Sequence, residues 1–226
     1  MKSDKNDIEL PPAVLFDLDG TLIDSVPDIA YSCNRVLKQQ GKEELSLPEV
    51  RSMIGNGIPK LVERAFAARG CALAVEELKA RAHDMVAIYE QNITNKTCPM
   101  PGAVALVDEL VSRQCLIAVV TNKPTHLSQI LVDHFGWHSA IPVVVGGDLL
   151  PKRKPDPDML IHACRLLSVN VSSAIMVGDS PVDVDSARAA GIRSIVVRGG
   201  YTNVAAEDMG ANIIVENLCE LQQILI

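Results

Sequence analysis

The sequence predicts an α/β fold: a doubly wound parallel sheet with a Rossmann-like core and an inserted helical cap domain. Three observations carry this expectation. Beyond residue 100, short apolar runs alternate with amphipathic segments of helix length, the rhythm of parallel strands joined by crossover helices. The first apolar run, Ala13-Val14-Leu15-Phe16, is followed at once by a turn containing Gly20, as a buried parallel strand would be. The connection from Asp24 to about Pro101 is several times longer than the roughly dozen residues a crossover helix needs.

The elements follow in order. Ser25 with Asp28, and Ser46 with Glu49, have the spacing of capping boxes. Gly41 and Gly70 are helix stops, and Gly55-Asn56-Gly57 before Pro59 is a tight turn that opens a new helix. Leu78, Ala82, Met85, Val86 and Tyr89 form another helical apolar stripe. Between Asp24 and Pro101 no strand is expected. The next helix is marked by Val104, Val107, Leu110 and Val111, and the strand Leu116 to Val120 follows it. A helix around Leu127, Ile130 and Leu131 leads to a strand from Ile141 to Val145. Met159 to Leu167 reads as helix, Ala174 to Val177 as strand, and Val182 to Ala190 as a helix ended by Gly191. Ser194 to Val197 and Ile213 to Val215 are strands, and Leu218 to Ile226 closes the chain as a helix. The expected division is an α/β core of residues 1–24 and 101–226 and a helical cap of residues 25–100.

Composition narrows the class. The 226 residues are 48% hydrophobic and 22% charged, ordinary for a globular chain and wrong for a disordered one. A formal net charge of -7 opposes binding to nucleic acid or anionic membranes. No apolar run approaches the roughly 20 residues of a membrane span, and the polar start, Met1 to Asp7, lacks a signal-peptide core. Six cysteines without a CxxC pair, several within apolar runs, suggest reduced thiols in a cytoplasmic protein.

The chemistry is concentrated at strand ends, where ligands bind in open parallel sheets. Asp17-Leu18-Asp19-Gly20-Thr21 places two carboxylates on one face of an extended backbone just past the first strand. Held so close, they need a cation or a shared proton, which points to a Mg2+ site beside a carboxylate nucleophile; an Asx turn is the plainer alternative. Thr121-Asn122 follows the strand 116–120 at a helix start, where a hydroxyl, a carboxamide and free amides can donate to an oxyanion. Lys154 lies in a loop stiffened by Pro155 and Pro157, and Gly178-Asp179-Ser180 with Asp183 returns carboxylates to the same edge. Each piece alone is a cap or a loop; four in succession, at four strand ends, are not expected of independent caps.

These four motifs, in this order and spacing, resemble those of the haloacid dehalogenase-like hydrolases. The resemblance covers nearly the whole chain, and the helical insertion sits where that family has its cap. Ile54-Gly55-Asn56-Gly57 with Glu63-Arg64-Ala65, Val120-Thr121-Asn122-Lys123-Pro124 and Lys154-Pro155-Asp156-Pro157 are further similar to its bacterial phosphoglycolate phosphatase branch. The resemblance implies a phosphatase of carbohydrate metabolism, a monomer or homodimer that hydrolyses 2-phosphoglycolate or another small phosphomonoester. Asp17 would be the nucleophile and Asp19 the general acid and base. Mg2+ would be held by the Asp17 carboxylate, the Asp19 carbonyl and Asp179. Thr121, Asn122 and Lys154 would hold the phosphate oxygens, with Asp183 positioning Lys154 or a metal-bound water. The region 24–101 would move as a lid, hinged at 24–26 and 97–102. The turn carrying Asn56 would approach the leaving group, and Arg64 would read its carboxylate. A sugar-phosphate mutase of the same family shares every core motif. A phosphorylatable receiver module lacks a second Asp two residues after the nucleophile and a large helical insertion.

Overall fold

The computed structural model describes residues 10–225; the polar stretch 1–7 and Ile226 lie outside the described residues. In chain order the elements are β1 (Ala13–Phe16), β2 (Ile23–Asp24), α1 (Val26–Gln39), α2 (Leu47–Arg51), α3 (Ile58–Ala67), α4 (Val75–Glu90), β3 (Cys98–Pro99) and α5 (Ala103–Ser112). Then come β4 (Leu116–Val120), α6 (Thr125–His134), β5 (Val143–Val145), α7 (Asp158–Leu166), β6 (Ala174–Gly178), α8 (Pro181–Ala190), β7 (Arg193–Val197), β8 (Ile213–Val215) and α9 (Leu218–Leu225).

Six strands form one parallel sheet in the order β5-β4-β1-β6-β7-β8. Strand β1 is central, and every one of its side chains is fully buried, which is why it reads as an unbroken apolar run. Its residues alternate between two cores. Val14 and Phe16 join Leu106 and Leu110 of α5 and Leu221 of α9 on one face. Ala13 and Leu15 join Met159, Leu160 and Ala163 of α7 on the other. Helices thus cover both faces. The chain runs outward from β1 in two directions, to β4 and β5 on one side and to β6, β7 and β8 on the other. The carboxyl end of β1 is therefore the topological switch point, where a crevice opens.

Helices α1 to α4 occupy the long first connection and pack on one another, with Ile29, Leu61, Phe66 and Met85 buried between them. Ser46 and Glu49 form the expected capping box of α2, and Gly191 ends α8 with a φ of 72°, open to glycine without strain. Three local expectations are corrected. The strand expected from Ile141 begins at Val143, after Pro142, which has no N–H to donate. Two strands do lie near the ends of the long connection: β2 and β3 pair antiparallel, Ile23 with Pro99 and Asp24 with Cys98. They were illegible because two residues carry no periodicity. Ser25 and Asp28 form no capping box, since Ser25 makes no side-chain cap bond. The Asp28 carboxylate instead accepts the N–H groups of Lys96 and Thr97, at 2.8 Å each, and the Thr97 hydroxyl at 2.9 Å. A long-range partner with three donors outcompetes a local cap, and it ties the start of α1 to the approach of β3.

Candidate active site

The register of the sheet brings the motif residues together. Phe16 lies opposite Val119 and Val177, so Asp17 is the next residue past β1, level with the ends of β4 and β6. Its N–H donates to the Val177 carbonyl at 2.9 Å, which fixes its backbone as a continuation of the strand. Thr121 is held likewise by the Val145 carbonyl at 3.0 Å. Lys154 comes from the loop after β5, and Asp179 directly follows β6.

Lys154 is almost fully buried and its ammonium has three partners. These are Asp17 Oδ1 at 2.8 Å, Asp183 Oδ1 at 2.6 Å and the Val120 carbonyl at 2.6 Å. Burial alone would lower its pKa, but Asp17 and Asp183 outweigh that and hold it above the ordinary lysine value. The other oxygen of Asp183 accepts the Ser180 N–H at 3.1 Å and its hydroxyl at 2.6 Å. Both oxygens of Asp183 are thus engaged within the chain, and it caps α8 while aiming Lys154 at Asp17. Gly178 makes this possible, because a Cβ there would occupy the place of the Asp183 carboxylate.

Oxygens of Asp17, Asp179 and Asp183 lie within 4.8 Å of one another, all three residues being buried. Burial pushes the Asp17 carboxyl up to about 6, with Lys154 opposing the rise and Asp183 adding to it. Asp179 is raised well above the ordinary range, first by burial and then by Asp183 and Asp17. Three carboxylates facing one ammonium leave two negative charges in excess, a donor set of hard oxygens suited to a divalent cation. One Asp179 oxygen accepts the Tyr201 N–H at 2.6 Å. Gly200 lets that loop pass over it, because a Cβ there would collide with the same carboxylate.

Asp19 faces a different set of partners. Its Oδ1 accepts the Ser25 hydroxyl at 2.5 Å, and the Lys123 ammonium donates to Oδ1 at 2.8 Å and Oδ2 at 3.0 Å. Lys123 also reaches the Tyr89 hydroxyl of α4 at 2.7 Å. Sequence reasoning missed Lys123 as a site residue, although it directly follows Thr121-Asn122. It also missed Tyr89, hidden in an apolar stripe, and Tyr201, whose signal is the Gly199-Gly200 pair after β7. The Tyr201 hydroxyl accepts the Ser25 N–H at 2.7 Å and lies 2.9 Å from Asp24 Oδ1, linking the Asp179 loop to the start of the helical insertion.

Two sequence expectations meet different geometry. The Asn122 amide was expected to donate to an oxyanion; its hydrogens go instead to the carbonyls of Gly55, at 2.9 Å, and Lys154, at 3.0 Å. The side chain therefore ties the turn before α3 to the lysine loop. Arg64 was expected on the face away from Leu61 and Phe66, free for a carboxylate. Its guanidinium donates to the Met53 carbonyl at 2.8 Å and to Asn56 Oδ1 at 2.7 Å, holding the turn that carries Asn56. A cavity of about 350 Å³ lies among these groups, lined by Asp17, Asp19, Thr121 and Lys123 on the sheet side and Ile54, Leu61 and Met85 on the helical side.

The site thus combines a buried carboxylate fixed by one lysine, a second carboxylate two residues on, and an acid cluster suited to a divalent cation. The family described as haloacid dehalogenase-like hydrolase matches residues 14–197, and the chain belongs to it. The chain is 40% identical over 198 residues to a phosphoglycolate phosphatase of Cereibacter sphaeroides, covering 88% of this chain and 90% of that one. It is 35% identical over 208 residues to a phosphoglycolate phosphatase of Caulobacter vibrioides, covering 92% and 88%. Among solved structures, a predicted phosphoglycolate phosphatase from Haemophilus somnus superposes with a TM-score of 0.89 at 29% identity, covering 95% of this chain and 98% of that one.

Proposed function

We propose that the protein hydrolyses 2-phosphoglycolate to glycolate and phosphate with Mg2+. The observation that carries this reading is the direct contact of the Lys154 ammonium with Asp17, beside an acid cluster and in the same cavity as Asp19. The names of the relatives supply the leaving group. The Asp17 and Asp179 carboxylates and the Asp19 carbonyl would hold the metal, and Asp183 would stay on Lys154. When bound, the metal supplies charge that offsets repulsion between the carboxylates and a phosphate dianion.

Asp17 attacks phosphorus in line, and an aspartyl-phosphate forms as the ester bond breaks. Asp19 donates a proton to the departing glycolate oxygen and then takes one from the water that hydrolyses the intermediate. Lys154 and the Thr121 hydroxyl hold the equatorial oxygens, where charge accumulates. The Asn122 side chain braces Lys154 from behind, through the lysine's own carbonyl.

Residues 1–24 and 101–226 serve as the catalytic core in this reading, and residues 25–100 as a cap that excludes water during transfer. The β2–β3 ribbon, clasped by Asp28, is its hinge. Six unpaired thiols suit a cytoplasmic enzyme of carbohydrate metabolism, acting as a monomer or homodimer. No helix among the described residues is long and apolar enough to cross a membrane. The test is phosphate release from a panel of 2-phosphoglycolate, sugar phosphates and phosphoserine, with Mg2+ and with excess chelator. Preferred, metal-dependent release from 2-phosphoglycolate is expected. Preference for another ester would refute the substrate, and phosphate transfer between sugar positions without release would refute hydrolysis.

A further inference from the structure

The in-line geometry fixes where the leaving group lies. In the proposed reaction Asp17 attacks phosphorus from one side, so the departing oxygen is on the other, where Asp19 as the acid has to reach it, and the rest of the leaving group extends into the cavity that the helical insertion lines. Among the described residues lining the cavity, three carry a cationic side chain: Arg64, Lys123 and Lys154. Lys154 is locked between Asp17 and Asp183. Arg64 is committed to the Met53 carbonyl and Asn56. Lys123 is held too, by both Asp19 oxygens and the Tyr89 hydroxyl, but of the three cavity-lining cations it is the one in contact with Asp19.

We propose that Lys123 is the residue that reads the carboxylate of the leaving group, an assignment that rests on the 2-phosphoglycolate reading. One methylene separates the ester oxygen of 2-phosphoglycolate from its carboxylate carbon. An ester oxygen within hydrogen-bond reach of Asp19 therefore brings the carboxylate next to an ammonium that sits 2.8 Å from Asp19 Oδ1. The surroundings favour charge recognition there. The ammonium lies 4.6 Å from the centroid of the Tyr89 ring, and Ile29, Ile54 and Met85 line the same cavity, so little water competes for it. The arriving carboxylate takes a hydrogen that Asp19 now holds. Binding of the correct leaving group and release of Asp19 toward the ester oxygen are thereby one event.

The test compares 2-phosphoglycolate with ethyl phosphate, which has the same two-carbon skeleton and a methyl group in place of the carboxylate. Wild type favours 2-phosphoglycolate in kcat/KM. In Lys123→Met that preference falls by roughly ten- to a hundredfold, the range for losing a hydrogen bond to a charged group. In Arg64→Met it is unchanged. Lys123→Gln removes the charge and keeps a neutral donor on a side chain one atom shorter, so it answers the same question if the Met variant does not fold. A variant that loses activity on both esters by the same factor overturns the assignment and leaves Lys123 as a support for Asp19. Wild type that turns over the two esters equally overturns the substrate reading and the assignment together.

Discussion

Replacing Lys154 by Met removes the one ammonium in the carboxylate cluster while keeping an unbranched side chain of similar length. Asp17, Asp179 and Asp183 are then three carboxyl groups facing one another with no counter-charge from the chain. Removing one partner of a buried ion pair costs about 3–5 kcal/mol. For a chain of this length each kcal/mol shifts Tm by roughly 2–4 °C, so the expected fall in chelator at neutral pH is roughly 6–20 °C. The pH dependence has a definite sign. Burial raises Asp17 from 3.8 to about 6, so the folded state holds a proton there that the unfolded chain has released. That contribution to stability is complete below the unfolded value and is lost as pH rises through about 6. Loss of Lys154 pushes the carboxyl further up, because the lysine was lowering it. The deficit of the variant is therefore largest above pH 6 and shrinks as the cluster protonates. Thermal unfolding of both proteins in chelator between pH 4.5 and 8 reads this directly. A variant as stable as wild type at pH 7.5, or a deficit that grows on acidification, would refute the electrostatic account of the cluster.

Three further outcomes are expected. Asp19→Asn lowers kcat/KM by about 10²–10⁴ for an alkyl phosphate, the usual range for a lost general acid, and far less for an aryl phosphate whose leaving group needs no proton; equal losses would count against Asp19 as the acid. Activity disappears in excess chelator and returns with Mg2+, which also raises Tm by binding only the folded state, whereas Ca2+, which takes more oxygen ligands at longer distances, is expected to inhibit; a Tm indifferent to Mg2+ would remove the metal from this cluster. Backbone and side-chain hydrogen bonds from Ser46, with the Arg69 contact, hold the Glu49 carboxyl down at about 2, so its contribution to stability is present above the unfolded value of 4.5 and is lost as pH falls through about 2. Glu49→Gln is accordingly less stable than wild type at pH 7, with a difference that narrows below pH 4, and a pH-independent difference would assign the effect to packing.

How much was legible in the sequence follows from how each residue gets its place. Asp17, Thr121 and Asp179 each sit directly after an apolar strand, so a parallel sheet alone brings them to one edge. Lys154 is legible because its loop must return over that edge. Asp183 was assigned to Lys154 or a metal-bound water, and the geometry puts it on Lys154, since its other oxygen caps α8. The residues that were misread or missed depend on how the helical insertion meets the core. Asn122 turns to Gly55 and Lys154, Arg64 to Met53 and Asn56, Ser25 to Asp19. No periodicity or local spacing announces such contacts between segments distant in the chain. Lys123 and Tyr89, 34 residues apart in sequence, are recognisable only through the hydrogen bond that joins α4 to the loop after β4.

The central claim is that Asp17 itself carries the phosphoryl group. The most direct measurement is an acid quench of the enzyme turning over 2-phosphoglycolate with Mg2+, followed by peptide mass spectrometry. The account places a phosphoryl group on the peptide containing Asp17, labile to hydroxylamine, absent in Asp17→Asn, and more abundant in Asp19→Asn turning over an aryl phosphate, where formation needs no acid and hydrolysis of the intermediate is slowed. A quench of the Asp19→Asn variant that shows only free phosphate, or a phosphoryl group on another residue, would contradict it.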